Sequence, residues 1–215
     1  MAENYFVQLI GIRAHLLKEH VQQIGCKVKV ISDPDEISRE SDICLACGIH
    51  YILNSRYLKI PRLGIWGFHE SALPKGRGSA PIHWTILQGG NLLTVSFFEL
   101  VEKMDEGRLL GQENCSILKT DLLEDLRAKA LHLSKKLIDK YLLRFLSGDI
   151  QPYESIGKST YYPKRKPLDS KLDKTKTLED LWDLIRICDN EEYPAWFEVD
   201  GEKFILKRYR AGESI

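Results

Sequence analysis

The first half of the chain alternates between short apolar runs and amphipathic stretches, and that alternation restricts the fold more than any other feature. "YFVQLIG" is followed by "HLLKEHVQQI" and then by "CKVKVI", a strand, helix, strand opening. Further apolar runs come at "DICLACG", "LGIWGFH" and "LLTVSFFELVEKMDEG". A helix is expected at "APIHWTILQGG", where Pro81 suits a first turn and Gly89 an end. Such alternation predicts an α/β fold, an open and largely parallel sheet with helices on both faces. Ligands of such sheets bind beyond the carboxyl ends of the strands, where "ACGIHYIL" and "GFHESALP" fall.

Residues 120–148 read as one long amphipathic helix. Asp121 and Glu124 suit its start, Leu126, Ala130, Leu133, Leu137, Tyr141 and Phe145 share a face, and Gly148 suits its close. The basic, proline-broken stretch "GKSTYYPKRKPLDSKLDKTKT" then marks a crossing loop. A boundary near residue 150 divides a core, residues 1–150, from a small C-terminal region, residues 151–215. That region is expected to hold a short helix from Leu178 to Cys188 capped by Thr177, and a hairpin "AWFEVDGEKFILKRY" turning at Asp200 and Gly201.

Charge narrows the partners. Thirty-one basic residues balance thirty-one acidic ones, so no overall field draws the chain to nucleic acid or to a membrane surface. No run reaches the roughly 18 apolar residues of a membrane span, and "MAENYFVQLIGIRAHLL" lacks the pattern of a secretory leader, which places the expected site of action in the cytoplasm. The five cysteines, Cys26, Cys44, Cys47, Cys115 and Cys188, are scattered and odd in number, as reduced thiols are. The pair in "CLAC" sits in an apolar run with no second pair at zinc-ligand spacing, so packing is its expected role and no metal is expected.

The chemistry-bearing residues cluster at the expected strand ends. His69 follows an apolar run and precedes a glycine-rich loop, a position from which an imidazole can take a proton from an amine and return it to a leaving nitrogen. Asp105 closes the next strand, where parallel topology brings it beside His69 to fix its tautomer; otherwise it serves only the turn before Gly107. Between them "LPKGRGSAP" offers a stiffening Pro74, Gly76 and Gly78 for unusual backbone angles, and the cations Lys75 and Arg77, so its amides and charges suit an anion, or simply a solvated turn. Lys164, Arg165 and Lys166 form a second basic cluster, a solvated face or a pyrophosphate contact. His20, His50, His83 and His132 have no partner at metal-ligand spacing, and Trp84 and Trp182 fall at core or interface spacings.

The order of these residues resembles the folate-dependent formyltransferase family. That family carries Asn-x-His, then Ser-x-Leu-Pro and Arg-Gly-x-x-Pro-Ile, and later Asp-x-Gly; His69, Ser71, Leu73, Pro74, Arg77, Gly78, Pro81, Ile82, Asp105 and Gly107 match it in identity and order. The resemblance implies a compact Rossmann-like core and transfer of a formyl group from the co-substrate N10-formyltetrahydrofolate to a primary amine through a tetrahedral oxyanion. It makes His69 the general base and Asp105 its orienting partner. It lines the folate pocket with Gly48, Ile49, His50 and Tyr51 on one side and Gly107 on the other, and gives Ser71, Lys75, Arg77, Gly78 and Arg186 to the acceptor substrate, Ser71 by bracing the loop. Two departures stand out. The family asparagine is Gly67 here, and losing an oxyanion donor costs about 3 to 4 kcal/mol unless a backbone amide, a water or the protonated imidazole substitutes. The chain also passes almost directly from "VKVIS" to "SDICLACG", omitting a strand and a helix of longer members, so a smaller sheet is expected.

Acceptors in the family include initiator methionyl-tRNA, glycinamide ribonucleotide and nucleotide-linked amino sugars. A tRNA enzyme is expected to carry a fuller C-terminal domain and a basic surface. The segments "HESALPKGRG" and "LIRICDNEEYPA" are similar to the sugar N-formyltransferases, in particular those acting on UDP-linked 4-amino-4,6-dideoxy sugars, among them precursors of pseudaminic-type nonulosonic acids. The rival readings are a methionyl-tRNA enzyme and a non-catalytic binder of folate or nucleotide sugar. The apolar C-terminal hairpin is the expected seam of a homodimer.

Overall fold

The computed structural model describes residues 5–212. β1 (Phe6–Ile10), α1 (His15–Gln23) and β2 (Lys27–Ile31) form the expected opening unit. β3 (Ile43–Ala46), α2 (Ser55–Leu58) and β4 (Ile65–His69) follow. A two-residue strand β5 (Arg77–Gly78) precedes α3 (Pro81–Leu87), β6 (Leu92–Glu99) and β7 (Leu109–Ser116). α4 (Leu123–Leu137) runs through a wider, π-type turn at Ile138–Leu142 into α5 (Leu143–Leu146). Beyond residue 150 lie β8 (Tyr161–Tyr162), α6 (Leu178–Ile187), β9 (Ala195–Val199) and β10 (Glu202–Leu206).

The central sheet has the order β2-β1-β3-β4-β6-β7. β1 pairs in parallel with β2 and β3, and β3 with β4, whereas β4–β6 and β6–β7 are antiparallel. The parallel part is therefore the N-terminal part. β6 and β7 are joined by the short loop 100–108 with no crossover helix, which permits only an antiparallel pair. β1 and β3 are apolar but for Gln8, whose amide is spent on Glu36 O and the Ser38 N–H, because both faces of the sheet are covered there. One face packs Val7, Leu9, Leu45, Trp66 and Phe97 against Leu17 and Val21 of α1 and Leu126, Leu133 and Leu137 of α4. The other packs Ile10, Ile31, Cys44, Ala46 and Ile65 against Tyr57 and Leu58. The outer strand β2 exposes Lys27 and Lys29, charges that discourage pairing at an open edge. Burial pushes the Cys47 thiol up to about 12 and raises Cys44 as well, the state of packed and unreactive sulfur.

The expected caps and turns are present, while both helices of the later chain change: α6 ends at Ile187, one residue before the expected Cys188. Pro81 opens α3, and the Gly89 N–H closes on Ile86 O with φ +77°. Thr177 and Asp180 cap α6 reciprocally, and Asp200 and Gly201 take φ 50° and 88°, the two left-handed angles of a tight hairpin turn. The long helix, however, starts at Leu123. Asp125, not Glu124, reaches back to the Leu122 N–H at 2.8 Å, while Asp121 accepts from Leu118 N–H and pairs with Lys129.

Candidate active site

β4 alternates its side chains, so Trp66 and Phe68 enter the helix-covered face while Ile65, Gly67 and His69 take the other. His69, the last residue of the strand, is only 7% exposed. Its Nε2 lies 2.8 Å from the carbonyl oxygen of Gly76 and 3.7 Å from Asp105 Oδ2, with the Phe98 ring edge-on beside it. Asp105 does not sit at the end of a parallel strand, as its spacing suggested. It arrives on loop 100–108 between antiparallel strands, held at φ 54° with its Oδ2 accepting the Gly78 N–H at 2.8 Å. A left-handed aspartate is strained backbone, and the contact with Gly78 is what holds it there. Gly107 lets this loop close, since a Cβ there would meet Glu99 O at 1.9 Å.

The glycine loop after His69 is not an open anion cradle. Its successive amides are all engaged: Gly76 N–H donates to Thr160 Oγ1, Arg77 N–H to Thr160 O, Gly78 N–H to Asp105 and Ser79 N–H to Tyr162 O. The reason is the crossing loop beyond residue 150, which lies along β5 as the parallel strand β8. Gly78, at φ +100°, permits this approach, for a Cβ there would stand 2.4 Å from Tyr162 O. Ser71 donates to Lys75 O at 2.7 Å and so braces the turn. The Arg77 guanidinium is bound to Glu106 at 2.9 Å and lies over the Tyr161 ring. Lys75, Lys164 and Lys166 remain exposed, and Arg165 donates to Asp169 O and Ser170 Oγ.

On the other side of His69, residues 48–52 leave the end of β3. Among the described residues, no partner is found for the backbone N–H and C=O groups of this stretch, and Tyr51 and Ile52 are exposed. A flat heterocycle with its own donors and acceptors fits such an edge. Arg13, which the sequence reading assigned no role, crosses over Gly48 to Glu70 at 2.7 Å. Burial alone would raise the Glu70 carboxyl, but Arg13 and His69 outweigh it and hold the group below its ordinary value. Gly67 faces the same side. A Cβ there would stand 2.9 Å from Leu100 Cδ1 and 3.1 Å from Ala46 O, so an apolar side chain fills the space next to it.

Arg186 stands in the C-terminal region, on α6. Its guanidinium is buried and donates to Asp183 Oδ1 and to the carbonyls of Leu118 and Asp121, clamping α6 to the start of α4. His50 is exposed, and Trp84 stacks on Tyr162 while donating to Pro163 O. Among the described residues no group of three or more His, Cys, Asp or Glu is placed to hold a metal ion, and no helix is long and apolar enough to cross a membrane. The structure thus brings together His69, Asp105, Gly76 and Gly78, with the open edge at residues 48–52 carried by the neighbouring strand.

A family described as formyl transferase matches residues 17–142. The bifunctional polymyxin resistance protein ArnA of Wigglesworthia glossinidia brevipalpis is 31% identical over 166 residues, 77% of this chain and 25% of the relative. The methionyl-tRNA formyltransferase of Enterococcus faecalis is 32% identical over 146 residues, 67% of this chain and 47% of the relative. The chain therefore spans half or less of the length of these relatives. Among solved structures, a 4-N formyltransferase from Francisella tularensis superposes with TM-score 0.80 at 15% identity, covering 98% of this chain and 99% of that one. HypX from Aquifex aeolicus in complex with tetrahydrofolic acid gives TM-score 0.80 at 17% identity over 94% of this chain and 37% of that one.

Proposed function

This chain belongs to the formyl transferase family, and from that premise we propose that it moves a formyl group from N10-formyltetrahydrofolate to the amine of a nucleotide-linked amino sugar. The observation that carries the reading is the buried His69 facing the half-buried Asp105 at the mouth of β4, beside a strand-end edge whose backbone is open. The amine attacks the formyl carbon, His69 accepts the ammonium proton, and the folate nitrogen leaves with a proton returned by the imidazolium. Asp105 faces the imidazolium and stabilises it. The pterin ring is read as lying along residues 48–51 and against Gly107, where the backbone groups fit its donors and acceptors. The acceptor's charge is assigned to the exposed Lys75 and to Lys164 and Lys166, because Arg77 is neutralised by Glu106 and the loop amides are occupied. A UDP-linked 4-amino-4,6-dideoxy sugar is the acceptor favoured by the sequence; the likeness to the Francisella 4-N formyltransferase supports an amine at that position.

The test is a mass measurement. The protein, formyl donor and a UDP-4-amino sugar should yield a product heavier by one formyl group, and His69→Ala should lower the rate by about 10²- to 10⁴-fold with the thermal transition retained. Product from methionyl-tRNA alone would select the reading favoured by the Enterococcus relative. Binding of folate or nucleotide sugar without turnover would leave a non-catalytic binder.

A further inference from the structure

We propose that Thr160, from the region beyond the core, is a positioning residue for His69 and dictates which imidazole nitrogen carries the proton. A carbonyl oxygen can only accept, so the 2.8 Å contact of His69 Nε2 with Gly76 O places hydrogen on Nε2. Asp105 Oδ2, a second acceptor, lies 3.7 Å from the same nitrogen. In the neutral ring Nδ1 is then the lone-pair atom, and in the proposed formyl transfer it is the nitrogen left to take the amine proton. The other charged groups near the ring are Glu70 and its partner Arg13, whose charges balance.

Thr160 controls the Gly76 carbonyl from behind. The C=O and N–H of one trans peptide point in opposite directions. In the Gly76–Arg77 peptide the C=O faces His69 and the N–H donates to Thr160 O at 2.9 Å. The preceding peptide is held too, with Gly76 N–H donating to Thr160 Oγ1 at 2.8 Å. Thr160 thus grips the peptide units on either side of the Gly76 Cα. Gly76 sits at φ +69°, and a Cβ would stand 2.6 Å from the Tyr162 ring, so the grip depends on glycine at this point. In the sequence Thr160 lies in a polar stretch that reads as a connector, and it contacts the base only through another residue's backbone.

The catalytic consequence rests on the formyl-transfer reading; the tautomer does not. The experiment is nitrogen NMR of the full chain labelled at histidine, at a pH well above the ordinary histidine range, with His69 signals assigned by their loss in His69→Ala. The wild type should give the Nε2–H tautomer. Thr160→Val, which keeps the shape and removes the acceptor, should shift the His69 ring nitrogens and lower kcat about tenfold with KM within about twofold, and Thr160→Ser should restore both. An Nδ1–H tautomer in the wild type overturns the proposal. So does a Thr160→Val protein whose His69 nitrogens and kcat are unchanged. If the ring behaves as expected but no acceptor is formylated, the functional reading fails and the positioning role stands.

Discussion

In the proposed formyl transfer, the side chain missing at Gly67 decides what kind of oxyanion stabilisation the site can use. The family's asparagine cannot simply be restored, because its Cβ would press on Leu100 and on the Ala46 carbonyl. Gly67→Asn is therefore expected to lose roughly 1–3 kcal/mol in denaturant unfolding through overpacking. Adding Leu100→Ala should recover much of that loss and raise kcat by tenfold or more, since the amide then has room to donate to the developing oxyanion. A double variant that folds well but gains no rate would mean that another donor already serves the oxyanion. The place of His69 at the end of a strand was legible in the sequence, because an apolar run stops there and a glycine-rich loop follows. The reason given for Asp105 was topologically wrong, since only the pairing direction of β6 reveals that it comes from a returning loop. Arg13 and Glu70 left no mark at all, for they are 57 residues apart and meet only when the ends of β1 and β4 lie near each other.

At the scale of elements, α3 carries an acid-sensitive group. His83 of α3 is held down to about 4 by burial first and then by Arg165 and Arg127, and its Nδ1 has no hydrogen-bond partner. The ordinary value is 6.5, so between pH 6.5 and 4 the unfolded chain binds a proton that the folded chain refuses. Stability must fall as the pH drops through that window, by up to about 3 kcal/mol, and be complete above it. Chemical denaturation at stepped pH should show this slope, and His83→Gln should flatten it; an unchanged slope would assign the effect elsewhere. Arg186 belongs to the same scale. The sequence marked it for substrate, but its donors close the carbonyls of the turn before α4, and its own carbonyl accepts from Arg208. Arg186→Met should cost about 2–4 kcal/mol in stability while leaving the KM for acceptor within twofold in the folded fraction. A rise in KM without loss of stability would return Arg186 to the substrate. Periodicity located α6 and its cap, but which of its charged residues turns inward depends on a turn more than sixty positions earlier.

Across the whole molecule, the alternating pattern was enough to place the sheet and both covered faces, because strands buried on two sides and helices buried on one leave different apolar periods. The pattern is silent on where parallel pairing stops, and the site lies at that change of direction, between β4 and β6. It is equally silent on β8, whose two residues are too short to have a period. Yet β8 and the residue before it occupy three of the amides of the loop that faces His69, those of Gly76, Arg77 and Ser79. This has a consequence for the order of synthesis. The ribosome delivers His69, Gly76 and Asp105 well before Thr160, so a nascent chain can complete its central sheet before the loop facing His69 is gripped. If the proposed positioning role holds, a chain interrupted before Thr160 carries His69 and Asp105 without the loop arrangement that sets the imidazole.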